Sequence, residues 1–215
     1  MPRTVDRKRS IHQKAARVLA ENDPVFGRAM ERIGPCRLED ELKPAITTFE
    51  ALLEAITHQQ LSTKAAATIY GRVRALAPAP TPEYFSNVSE QALRSAGLSG
   101  PKIRAVHDLT ERCCSGRVPT MTMLEGMNNE LIIESLSQIR GIGRWSAEML
   151  LIFRLGRLDV LPLQDLGIQQ GFNASFRRSK TPLLEAMDRR GRRWQPYRSV
   201  ASWYLWRLAD RARGS

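Results

Sequence analysis

The chain has 215 residues, room for one large domain or two small interlocked lobes, and 42% of them are hydrophobic, enough for a sizeable core. Lys and Arg total 33 against 22 Asp and Glu, a formal net charge of +11; the excess favours a polyanionic partner, most simply nucleic acid, with charge kept for solubility as the alternative. No run approaches the roughly 18 apolar residues of a membrane span and the N-terminus is charged rather than apolar, so an intracellular, soluble protein is expected. Cys36, Cys113 and Cys114 do not pair evenly and lack C-x-x-C spacing, so free thiols in a reducing, intracellular compartment are expected, with neither zinc nor an iron–sulfur cluster.

Residues 1–20 read as a basic arm carrying Arg3, Arg7, Lys8, Arg9, Lys14 and Arg17, solvated and in part disordered, with Ile11, Ala15, Val18 and Leu19 spaced as a helix in its second half. A phosphate contact is the arm's alternative role. Asp23-Pro24 breaks the chain, and Val25, Ala29, Met30 and Ile33 outline a short helix that Gly34-Pro35 ends. Residues 47–60 predict an amphipathic helix with Phe49, Leu52, Leu53 and Ile56 on one face and Thr47 and Glu50 spaced as a capping box. Ser62 caps the next helix, 63–75, whose Ala65, Ala66 and Ala67 allow close packing. Pro78, Pro80 and Pro82 link to helices near 82–86 and 89–95, and Leu98-Ser99-Gly100-Pro101-Lys102 turns into a helix at 101–115. A further basic run, 177–198, holds Arg177, Arg178, Lys180, Arg189, Arg190, Arg192, Arg193 and Arg198 and is expected to be a solvated face, with contact to nucleic acid as the alternative. A last helix, about 196–212, starts with Pro196 in its first turn and carries Tyr197, Trp203, Tyr204 and Trp206. No run alternates with the period of a strand, so the class is all-α.

The stretch around 131–153 is the most informative. Leu131, Ile132, Leu136 and Ile139 recur at helical spacing, Gly141-Ile142-Gly143 interrupts, and Met149, Leu150, Ile152 and Phe153 resume the period. Glycines permit a positive φ and close backbone approach, and the start of a new helix aims N–H groups at whatever anion sits there, with Arg144 beside them. A bare Gly-x-Gly between helices is as often an ordinary turn. Downstream, Asp165 is a lone carboxylate among Leu161, Pro162, Leu163, Leu166 and Ile168. It reads as a helix cap or as a group whose chemistry justifies its apolar surroundings. His12, His58 and His107 are scattered, and each reads as structural or exposed.

The motif L-x-x-I-x-G-I-G-x-W-S-A-E at 136–148, followed by L-P-L-x-D-L-G-I at 161–168, resembles the helix–hairpin–helix DNA glycosylases with a Gly/Pro-rich loop and a catalytic Asp, and among them the 3-methyladenine glycosylase II (AlkA-like) type. The likeness runs from about 22 to 208 and lacks the N-terminal β domain of longer bacterial relatives. It implies a two-lobed helical fold with a cleft between the lobes. The central lobe would span about 45–155 with the hairpin at 136–155, the second lobe 21–44 plus 160–212, and the arm 1–20 would stand outside the glycosylase domain of 21–215.

The same resemblance implies the site. Asp165 takes the catalytic position, beside the sugar. Gly141, Ile142, Gly143 and Arg144 grip the DNA backbone; Lys102 and Arg104 are phosphate ligands on a second turn. Gln59, Gln60, Leu61 and Ser62 form the junction that meets DNA, with Gln60 or Leu61 filling the gap left by the flipped nucleotide. Main-chain carbonyls of Ser137, Ile139 and Gly141 match positions that hold a monovalent cation, Na+ or K+; no other cofactor is implied. Trp145 occupies the place of the Schiff-base lysine in backbone-cutting relatives, which implies a monofunctional enzyme. Trp145 is either a wall for an electron-poor base or a core aromatic; Trp206 and Tyr197 are weaker pocket candidates, and Trp203 reads as core. The activity implied is hydrolysis of N-glycosidic bonds of cationic alkylated bases in double-stranded DNA by a monomer in the cytoplasm, at the nucleoid, or in the nucleus. Deaminated or oxidised bases are the nearest alternative, and a non-catalytic DNA-binding subunit is the alternative of another class.

Overall fold

A computed structural model describes residues 3–43, 46–176 and 181–214, and side chains from residue 11 onward within them. The chain divides into two compact units, one formed by Met1–Lys43 with Leu151–Ser215 and the other by Pro44–Leu150. Described residues in both are helical or in irregular connections, and none lies in a strand.

The first unit opens with α1 (Arg3–Asn22), α2 (Pro24–Glu31) and α3 (Leu38–Glu41). The second contains α4 (Thr48–His58), α5 (Thr63–Arg74), α6 (Pro82–Phe85), α7 (Glu90–Ser95), α8 (Gly100–Cys114), α9 (Met121–Gly126) and α10 (Asn129–Leu136). The boundary falls inside α11 (Arg144–Phe153), after which α12 (Leu166–Ser175), α13 (Leu183–Gly191), a 3-10 turn (Arg192–Trp194) and α14 (Arg198–Ala212) complete the first unit.

Short polar side chains start most of these helices by accepting the backbone N–H three residues on: Ser62 from Ala65, Ser89 from Ala92, Asn128 from Leu131. Thr47 caps α4 in the same way, from Glu50. The Glu50 carboxylate does not close the expected capping box; it accepts instead from the Tyr70 hydroxyl and Arg74 of α5. In the second unit Phe49, Leu52, Leu53 and Ile56 of α4 are buried where that helix packs on α8, which contributes Ile103, Val106 and Leu109. The Phe49 and Phe85 rings meet edge to face at 5.4 Å.

In the first unit α12 lies against α14 so closely that a Cβ at Gly171 would sit 1.9 Å from the Leu205 carbonyl oxygen. Beside that contact Phe26, Phe172, Phe176 and the fully buried Trp194 form an aromatic cluster, with Phe26 and Trp194 stacked at 4.7 Å. The Asp23 carboxylate caps α2 through the Phe26 N–H and accepts from both Arg190 Nε (2.7 Å) and Nη2 (2.7 Å) and from Trp194 Nε1 (3.1 Å). Burial alone would push the Asp23 carboxyl up, but the Arg190 and Phe26 hydrogen bonds, the Arg190 charge and the indole N–H together hold it below its ordinary value.

Three expectations need correction here. The basic stretch is helix from Arg3, and from residue 11 on it is packed: His12, Ala15 and Leu19 are buried, and His12 pairs with Glu39 at 3.0 Å. It packs because its apolar positions find partners in α2, α3 and α14 that local reading could not see. The last helix starts at Arg198, with Tyr197 as its N-cap residue and Pro196 outside it. The basic run is not one solvated face: Arg190 is drawn onto Asp23 and the Phe176 ring, and Arg198 makes a bidentate pair with Asp159 at 2.6 and 2.9 Å. Arg177, Arg178 and Lys180 lie outside the described residues.

Candidate active site

In the second unit, α10 ends after Leu136 and residues 137–143 form a tight hairpin before α11. Ile139 and Ile142 are buried and pin it to the core. Gly141 has φ +78°, the left-handed region that glycine enters without a Cβ penalty, and a Cβ there would come within 3.2 Å of Ala105. Gly143 faces open space. The hairpin is tied from outside by two side chains. Asp108 of α8 accepts the Arg140 N–H at 2.8 Å while pairing with Arg112, and the Gln59 amide donates to the Gly141 carbonyl at 2.7 Å.

Gln59 belongs to the junction between α4 and α5, where Gln60 and Leu61 are exposed. Gln60 has φ +56°, the one described non-glycine residue with positive φ. That conformation costs a side-chain-bearing residue about 1–2 kcal/mol, a strain that natural proteins concentrate at working sites. Lys102, in the first turn of α8, donates from Nζ to the carbonyls of Thr57 (2.8 Å) and Gln59 (2.7 Å). The structure gives it a role beside the expected one: the ammonium ties down the C-terminal end of α4, where a cation suits the helix dipole, and burial draws its pKa below the ordinary lysine value. Arg104 is exposed, close to the Gly100 backbone. Thus Gln59 and Lys102 join the hairpin, the junction and the start of α8 into one surface of the second unit.

Arg144 opens α11 and is held by two acids: its Nη1 and Nη2 reach Glu130 at 3.1 and 2.8 Å, and its Nε reaches the buried Glu148 at 3.1 Å. Hydrogen bonding to Glu130 raises its pKa, which keeps the guanidinium charged. Trp145, the next residue, is 47% exposed and is not a core aromatic. The carbonyls expected to hold a monovalent cation are partly engaged, that of Ile139 by the Ile142 N–H (3.0 Å) and that of Gly141 by Gln59. A carbonyl oxygen keeps a second lone pair, and neutral oxygen donors suit Na+ or K+, so the residues fit such an ion.

In the first unit, Asp165 is the N-cap of α12: its Oδ1 accepts the Ile168 N–H at 2.8 Å. The same oxygen accepts the Trp206 indole N–H at 2.9 Å. Trp206 is stacked on Phe153 at 5.8 Å and 27°, and a Cβ at Gly167 would stand 2.9 Å from its Cδ1 and 3.1 Å from Asp165 Oδ1. Leu166, beside the carboxylate, is 67% exposed, so the apolar surroundings expected from the sequence include an open apolar lip. The structure therefore brings Trp206 to Asp165. Trp203 is core, donating to Glu41, and Tyr197 is half-buried at the start of α14. Asp159, the other nearby acid, is committed to Arg198.

Sequence reasoning missed Asp108, Glu148 and Gly167 as supporting residues. The Asp108–Arg112 spacing of four was a legible surface pair, and a glycine two residues after a capping Asp was legible as an oddity; neither told what it touched.

The model of the "HhH-GPD superfamily base excision DNA repair protein" matches residues 53–196, which include the hairpin and Asp165. The chain belongs to the HhH-GPD superfamily. It is 36% identical over 205 residues to DNA-3-methyladenine glycosylase 1 of Schizosaccharomyces pombe, covering 93% of this chain and 88% of that protein. Among solved structures it is similar to a DNA-3-methyladenine glycosidase from Bacillus halodurans, with 37% identity, a TM-score of 0.83 and coverage of 94% of this chain and 91% of that one. A Schizosaccharomyces pombe 3-methyladenine DNA glycosylase in complex with abasic DNA is 35% identical with a TM-score of 0.77, covering 90% and 95%. Membership of the superfamily places the chain in base excision DNA repair.

Proposed function

We propose that this HhH-GPD protein is a monofunctional DNA glycosylase that hydrolyses the N-glycosidic bond of alkylated, cationic bases such as 3-methyladenine in duplex DNA. The observation that carries the reading is Asp165: a carboxylate at the start of α12 whose Oδ1 is fixed by one backbone and one indole N–H. The names of its relatives support the substrate class.

The chemistry needs little more than a fixed negative charge. A base alkylated on a ring nitrogen already carries the charge that protonation would supply. When its bond to C1′ breaks, the electron pair leaves with the base, which departs neutral, and positive charge develops on the sugar. A carboxylate beside the sugar stabilises that charge and receives the proton of the water that adds to C1′. An aldehydic abasic sugar is left. Trp145 has no amine with which to form a Schiff base, so the backbone stays intact. Its exposed ring offers the face on which a cationic base stacks. The hairpin turn and the start of α11 would face phosphate, with Arg144 exchanging its Glu130 pair for it, and Gln60 or Leu61 would fill the vacated stack. Ser137, Ile139 and Gly141 would hold a monovalent cation through their carbonyls, whose charge would draw a phosphate to the hairpin. Every role falls on one chain, so a monomer suffices.

The test is release of methylated base from alkylated duplex DNA by wild type and Asp165→Asn. The asparagine still caps α12 but carries no charge. Loss of release with affinity for an abasic-site analogue retained supports the reading; wild-type turnover by Asp165→Asn overturns it. Parallel duplexes with etheno, hypoxanthine and oxidised guanine bases distinguish an alkylation enzyme from one for neutral lesions, and release from none of them marks a binding module.

A further inference from the structure

Trp206 stood in the sequence as one of several aromatic candidates for a base pocket. Its bonds in the structure assign it different work. The indole Nε1 lies 2.9 Å from Asp165 Oδ1, the oxygen that already accepts the Ile168 N–H at 2.8 Å. Two donors from different directions on one oxygen fix both the torsion of the carboxylate and the plane in which its second oxygen lies. The indole is itself held by stacking on Phe153. Its approach depends on Gly167: a methyl group there would stand 2.9 Å from Trp206 Cδ1, a distance at which something must shift, and a tight 3.1 Å from Asp165 Oδ1. Gly167 has an ordinary helical backbone, since it is absent from the glycines with positive φ. A first-turn helical position gains nothing from glycine for its own sake, because alanine is the better helix former. The missing side chain is explained by the room the indole needs.

We propose that Trp206 is a positioning residue that orients the Asp165 carboxylate through its indole N–H, and that Gly167 is kept bare to let it do so. The proposal rests on the reading of Asp165 as the carboxylate beside the sugar. A general requirement stands behind it: a reacting group displaced by about 1 Å can cost on the order of a hundredfold in rate.

The experiment compares wild type, Trp206→Phe, Gly167→Ala and the double variant, with Asp165→Asn as reference. Release of 3-methyladenine and 7-methylguanine, two cationic bases of different shape, is measured in single turnovers over a range of enzyme concentrations, the maximal rate taken as kcat and the half-saturating concentration as KM. Phenylalanine keeps an aromatic face and loses the N–H; alanine keeps the indole and displaces it. A positioning role predicts that each single variant lowers kcat by roughly tenfold or more. The factor is the same for both bases, and KM and abasic-analogue affinity are unchanged. The double variant is little slower than either single one, because both break the same bond. Folding is followed by thermal melting; Gly167→Ala, an exchange toward the better helix former, separates a kinetic defect from a folding one. A Trp206→Phe loss that differs between the two bases, or a rise in KM, assigns the indole to the base pocket and overturns the proposal. Wild-type kcat in Gly167→Ala with an unchanged fold overturns it as well. Should Asp165→Asn turn over at the wild-type rate, the reading beneath fails and the proposal falls with it. If Asp165→Asn is inactive and Trp206→Phe is not slowed, the proposal alone falls.

Discussion

Lys102 separates what the sequence suggested from what the structure contains. The motif around it implied a phosphate ligand, whereas the structure spends its ammonium on the carbonyls of Thr57 and Gln59 at 2.8 and 2.7 Å. The perturbation is Lys102→Met, which keeps most of the stem and removes the charge. Hydrogen bonds from a charged donor are worth about 1.5–3 kcal/mol each, so the pair supplies about 3–6 kcal/mol gross. Ordering the lysine stem costs up to about 2 kcal/mol, and water reaches the Gln59 carbonyl once the ammonium is gone. The net loss is then roughly 2 kcal/mol, which lowers Tm by about 4–8 °C in a chain of this size. Two measurements check it: thermal unfolding by circular dichroism, and DNA affinity titrated against salt concentration. A strut predicts the drop in Tm with an unchanged dependence of log K on log[salt]. A phosphate ligand predicts the reverse, a slope smaller by about 0.9 at constant Tm, because one neutralised phosphate releases about that many counterions. The second pattern would refute the structural argument.

Two further outcomes are expected. Asp23→Asn retains the α2 cap but leaves Arg190 without its partner in a buried site, at a cost of about 3 kcal/mol near neutral pH. The Asp23 carboxyl lies below its ordinary 3.8 in the folded chain, so its contribution is present above that pH and is lost as pH falls through the lower folded value. Urea denaturation at stepped pH should show the gap between wild type and Asp23→Asn closing only below about pH 4, and a gap constant to pH 2 would contradict the ion pair. Gln60→Gly removes the strain of φ +56° and should raise stability by about 1 kcal/mol while slowing release from duplex DNA, since glycine offers nothing to fill the vacated stack. A gain in stability with an undiminished rate would make Gln60 a loop residue only.

What could be read from the sequence was local chemistry. Ser62 and Thr47 announced helix starts because a cap bond spans three residues, and Phe49, Leu52, Leu53 and Ile56 announced a buried face because a helix repeats over similar distances. Gly141 was legible as a positive-φ glycine for the same reason. The bonds that organise the candidate site are long in sequence: 82 residues from Gln59 to Gly141, 45 from Lys102 to Thr57, 41 from Trp206 to Asp165. No spacing rule encodes them. Arg190 does not lie on the solvated face expected of it, and the carbonyl bonds of Lys102 were not foreseen, because a basic side chain looks the same in sequence whether it meets water, a helix end or a buried carboxylate.

Asp165 shows why the two readings of one residue need not compete. As a cap it needs one oxygen to accept the Ile168 N–H, a task that serine or asparagine performs about as well. The cap therefore explains why a short polar residue stands there and leaves its charge unexplained. It also leaves unexplained why Trp206 brings an N–H to the same oxygen, or why Gly167 has no side chain. A carboxylate that had only to start a helix would need one oxygen on that N–H and no second donor to fix the plane of the other. One that must face a sugar carbon as its bond breaks has to be held in a single orientation, and the cap, the indole and the bare glycine hold it so. On the reading proposed for Asp165, the helix start would be part of the device that aims the charge.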